Sequence, residues 1–122
     1  MDNTDTGTHP ITSHVRDAAE HIRLANHATR GDHRNVVETY HTITALHTLS
    51  ERLPHLLTHL LEIVAGTESG MHYHDTGGNV TDALQWAEAH LADAITTLGA
   101  VRNHLATAAS HISHLGTITT DD

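Results

Sequence analysis

One stretch constrains this chain more than any other. Leu84, Leu91, Leu98, Leu105 and Ile112 recur every seven residues across Thr81–Leu115, and Ala87, Ala94, Val101, Ala108 and Leu115 follow each of them by three. An a/d repeat of this kind lays one narrow apolar seam along an α-helix. At 1.5 Å per residue that helix would be about 50 Å long. Leucine at one register and mostly alanine at the other predicts close helix–helix approach, large side chains filling the room left by small ones.

The rest of the composition agrees with helix packing. In 122 residues only 38% are apolar and there is no Phe; Trp86, Tyr40 and Tyr73 are the only aromatics. A core drawn from Leu, Ile, Val and Ala suits helices better than a sandwich of strands, and the length suits one domain without a large enclosed core. With no Cys, disulfides and thiolate metal sites are excluded. No charged-then-apolar leader and no long apolar run is present, so we expect a soluble, cytoplasmic protein with no membrane partner. Arg without Lys against 15 Asp plus Glu gives −9 with His neutral. A surface of that sign repels phosphate and disfavours nucleic acid. The 15 His would turn −9 into +6 if all were protonated (−9 + 15 = +6). That allows a pH-responsive protein; the codon bias of a GC-rich genome, which favours His, Thr, Ala, Asp and Arg, accounts for the same composition.

Taken in order, Met1–Thr8 is a polar lead-in, and Pro10 suits the first turn of a helix. Ile11, Val15, Ala18, Ile22, Ala25 and Thr29 then step by four and three, predicting a first helix over Pro10–Arg30. Gly31 offers a left-handed stop and Asp32 an N-cap for the next helix. That second helix is expected over His33–Ala65, with Val36, Tyr40, Ile43, Leu46, Leu49, Leu53, Leu57, Leu60 and Val64 as its inner face. Pro54 predicts a kink or break near Leu49–Pro54, with Ser50 able to cap a second segment. A long loop, Gly66–Val80, leads to the third helix, for which Asn79 is the expected cap and Asp82 a favourable first-turn charge. Gly116 is the expected stop, and 117–122 an acidic tail. The fold class is therefore all-α: a three-helix antiparallel bundle with one short and two long helices, the second kinked near Pro54, its core including Ile22, Ile43, Leu46, Leu57, Leu98, Leu105 and Ile112.

Length then points to a surface. A first helix of about 30 Å covers only the near part of a long hairpin, leaving Leu53–Val64 and Val80–Ile95 bare. There the second helix is apolar over most of its circumference, which calls for neighbours on more than one side. Leu53, Leu56, Leu60, Leu61, Ile63 and Trp86 are the candidate interface, and a homodimer the expected state, with an unidentified protein as the other candidate occupant.

Other constellations are weaker. His55 and His59 stand four apart with Glu62 beside them, spacing that could chelate Zn²⁺, Ni²⁺ or Cu²⁺. The metalloprotease arrangement is absent, because Leu56, Leu57 and Thr58 intervene. His111 with His114, and His72, His74 and Asp75 on the loop, are further groups; among 15 His such groups also arise by chance. Glu38 and His41 match one unit of a carboxylate-bridged di-iron bundle, but the second unit and the extra inward Glu residues are missing. His14 with His21, and His104 with His111, flank apolar seams, where polar residues commonly shield an interface. Asn79-Val80-Thr81 fits a glycosylation sequon and reads better as a helix cap. No phosphate-binding loop or nucleophile elbow occurs, so no enzyme and no cofactor are expected.

The segment His72–Gly116, with its His74-Asp75-Thr76-Gly77-Gly78 turn, an Ala/Leu helix and His114-Leu115-Gly116 at its end, resembles small, Lys-poor, Ala-rich helical proteins of high-GC actinobacteria and their mobile elements. The resemblance covers about a third of the chain. It implies a bacterial, cytoplasmic helical protein and brings no assigned activity or functional residues. The secreted helical hairpins of type VII systems are of similar size, but their Trp-x-Gly turn is missing: Trp86 is followed by Ala87 and Glu88. The function expected from the residues is a non-enzymatic helical interaction or adaptor module that self-associates, the alternative being a His-mediated metal-binding or pH-responsive protein.

Overall fold

The computed structural model describes residues 9–28, 35–116 and 118. Among these the protein is all-helical: α1 spans Pro10–Ala28, α2 Val36–Ala65 and α3 Val80–Ile112, with a 3₁₀ turn at Ser69–Met71 between α2 and α3. The chain divides into two compact units, Met1–Arg34 and Asn35–Asp122.

In the first unit, His9 does the work of an N-cap. Its Nδ1 accepts from the Ile11 N–H at 3.1 Å and its carbonyl from the Ser13 N–H at 3.0 Å. Pro10 follows at the first helical position, where no backbone donor is needed. Glu20 and Arg23 pair one turn apart at 2.6 Å. The hydrogen bond to Arg23 lowers the Glu20 carboxyl below its ordinary value and raises Arg23 above its own. Taken by itself α1 buries no side chain, so Ile22, expected in the core, is exposed. The expected stop at Gly31 and cap at Asp32 lie outside the described residues.

In the second unit α2 and α3 pack against each other, and the 3₁₀ turn touches α3. The cap of α2 is Asn35, whose Oδ1 accepts from the Val37 N–H at 2.8 Å and the Glu38 N–H at 3.3 Å. The helix therefore starts three residues after the expected His33, the second of two cap-type residues having taken the role. Asn79 caps α3 as expected, accepting from the Asp82 N–H at 3.0 Å. At the other end α3 stops at Ile112 with Ser113 as C-cap, short of Gly116. Within both helices threonine hydroxyls fold back on carbonyls four residues earlier, as Thr42 does to Glu38 and Thr97 to Asp93. That pattern satisfies a Thr-rich helix without outside partners.

The packing lines differ from the expected ones by a change of phase. On α2 the covered line runs Val36, Tyr40, Ile43, His47, Ser50, Pro54, Leu57, Leu61, Val64, stepping by four and three. Ser50 is its most enclosed member, 3% exposed, with its hydroxyl donated to the His47 carbonyl at 2.7 Å. Leu46 and Leu49, read as inner-face residues, are each 38% exposed. On α3 the leucine register Leu84, Leu91, Leu98, Leu105 and Ile112 is half-buried, less enclosed than the core expected at Leu98, Leu105 and Ile112, and its companions are Glu88, Ile95 and the buried Ala109, not Ala87, Val101 and Ala108, which are exposed. A seven-residue leucine register fits a seam completed at +3 or at +4. Here α2 lies on the +4 side.

Pro54 does not break α2, which is continuous from Val36 to Ala65. Ser50 caps nothing; its carbonyl is the one that loses an intrahelical donor to Pro54, which has no N–H. After α2, the loop is tied by His74. Its Nδ1 accepts from the Thr76 N–H at 3.3 Å and lies 2.8 Å from the Thr76 hydroxyl, while the Gly77 N–H reaches the His74 carbonyl at 3.0 Å. Gly77 takes φ +82°, open to glycine at little cost, and a Cβ on Gly78 would meet the His74 ring at 3.1 Å.

Candidate interaction surface

Once the inner line of α2 is assigned, its remaining leucines form a second line. Leu46, Leu49, Leu53, Leu56, Leu60 and Ile63 step by three and four along another side of the same helix. Leu53, Leu56 and Leu60 are half-buried, and Ile63 is 51% exposed. An open groove of about 440 Å³ runs along the N-terminal half of this side, lined by Ala45, Thr48, Leu49, Arg52, Leu53 and Leu56. Pro54 lies on the other side of the helix, on the covered line.

Of the residues expected at an interface, Leu53, Leu56, Leu60 and Ile63 share this outer line. Leu61 does not: it is half-buried in phase with Ser50 and Leu57, on the line turned to α3. Trp86 sits on α3 at 67% exposure, its indole stacked on the His90 ring with centroids 6.1 Å apart and planes 29° apart. Reading the sequence missed Leu46 and Leu49 as outer-face residues and missed the groove floor of Ala45 and Thr48. The signal is present in the three-and-four stepping from Leu46 to Ile63, but Leu46, Leu49, Leu53 and Leu60 also continue the line from Val36 that the sequence presents as an inner face.

The histidine groups are placed as follows. His55 and His59 lie one turn apart, exposed, with Glu62 exposed beyond them. His47 is half-buried with Nδ1 3.6 Å from the Glu51 carboxylate, which thus faces His47. His74 is engaged by Thr76, whereas His72 and Asp75 are exposed. His14, His21, His104, His111 and His114 are exposed, as are Glu38 and His41, whose ring meets Tyr40 edge-on at 5.7 Å. Among the described residues no three His, Asp or Glu converge as a metal ion would require, and no helix is long and apolar enough to cross a membrane. No protein-family model, curated protein or solved structure matches the chain.

Proposed function

We propose that this chain is a non-enzymatic interaction module in which α2 and α3 form an antiparallel hairpin that self-associates through its leucine-rich end. The observation that carries this reading is the outer line of α2, where Leu46 and Leu49 are each 38% exposed and Ile63 51%; Trp86, 67% exposed, adds a large aromatic on α3. Monomers rarely leave more than a few hundred Å² of contiguous apolar surface in water.

The connection supports the antiparallel sense. A parallel pair would require residues 66–79 to travel back along α2, about 45 Å at 1.5 Å per residue. That segment instead contains a 3₁₀ turn and the tight turn at His74–Gly77. Antiparallel packing puts Ile63, near the end of α2, at the same end as Trp86, near the start of α3. The kink expected at Pro54 would favour the same surface: a proline kink leaves the far side of the helix concave, and the groove lies on the side away from Pro54. Two such ends packed about a two-fold axis make a local four-helix bundle, with Trp86 as the aromatic anchor.

Light scattering at micromolar concentration tests the reading. The expected mass is twice the chain's 13.2 kDa, falling to one chain in the double variant Leu60→Asp, Trp86→Ala. A monomeric parent protein, or a dimer that the double variant leaves intact, would end it.

A further inference from the structure

We draw no further inference here: the strongest candidate, the outer line of α2 from Leu46 to Ile63 with the groove along its N-terminal half, is an apolar face on which nothing in the structure shows what covers it.

Discussion

Gly99 is the place to measure how closely α2 and α3 approach. It lies in the interior of α3, half-buried, with a negative φ, and a Cβ built on it meets nothing within 4 Å. Glycine in a helix interior is less favourable than alanine by about 0.8–1.0 kcal/mol, chiefly through backbone entropy lost on folding. With open space for the methyl group there is no clash to set against that gain, so Gly99→Ala should stabilise by about 1 kcal/mol. For a unit the size of Asn35–Asp122 this raises the thermal midpoint by roughly 4–8 °C. The melt is followed by far-UV circular dichroism at one fixed protein concentration, because association shifts the midpoint by mass action. Gly99 is on the side of α3 turned to α2, away from Trp86, so the mass in solution at that concentration should not change. A midpoint that stays put or falls would refute the reasoning: either a neighbour occupies the space or the helix is not regular at this turn.

Two further outcomes are expected. Asn79→Ala removes the acceptor for the Asp82 N–H at the start of α3 and should cost about 1 kcal/mol in urea unfolding, as loss of an N-cap does; an unchanged midpoint would mean that the cap is not made in solution. Calorimetric titration of untagged protein with Zn²⁺ or Ni²⁺ should give weak, non-saturating heats, whereas micromolar saturable binding lost in His55→Ala would assign a metal function to His55 and His59 in place of the interaction reading.

The helices themselves were legible because their signals are local. Asn79 three residues before Asp82, Pro10 at a first turn and a seven-residue leucine register each act within one or two turns of chain. Which side of each helix meets the other was not legible, and the reason is specific. On α3 the leucines alone fit two seams, and the one in use passes through Glu88 and Ile95, while the alternative offers Ala87, Val101 and Ala108, which read as more uniformly apolar. On α2 the line in use passes through His47, Ser50 and Pro54. A hydrophobic period never selects these three, yet Ser50 is enclosed with its hydroxyl satisfied inside its own helix, so burying that hydroxyl leaves no orphaned donor. The leucines at 46, 49 and 53 look like a seam because they are one. In the proposed reading it is a seam for a different neighbour.

That displacement links the fold to the proposed function. Had Leu46, Leu49 and Leu53 faced α3 in place of His47, Ser50 and Pro54, the pair would bury its largest side chains internally and leave little apolar surface for anything else. Fully burying a leucine or isoleucine side chain contributes about 1.5–3 kcal/mol. Leu46, Leu49 and Ile63 are each more than a third exposed, so several kcal/mol of available burial stands outside the α2–α3 contact. A domain's whole stability is only about 5–15 kcal/mol. In the self-associating reading the second copy supplies that missing fraction, and the hairpin's stability then depends on protomer concentration, as it does wherever a folded monomer leaves its partner's share of the core unfilled. In that reading the leucines left outside the line through His47, Ser50 and Pro54 are the ones that carry the association.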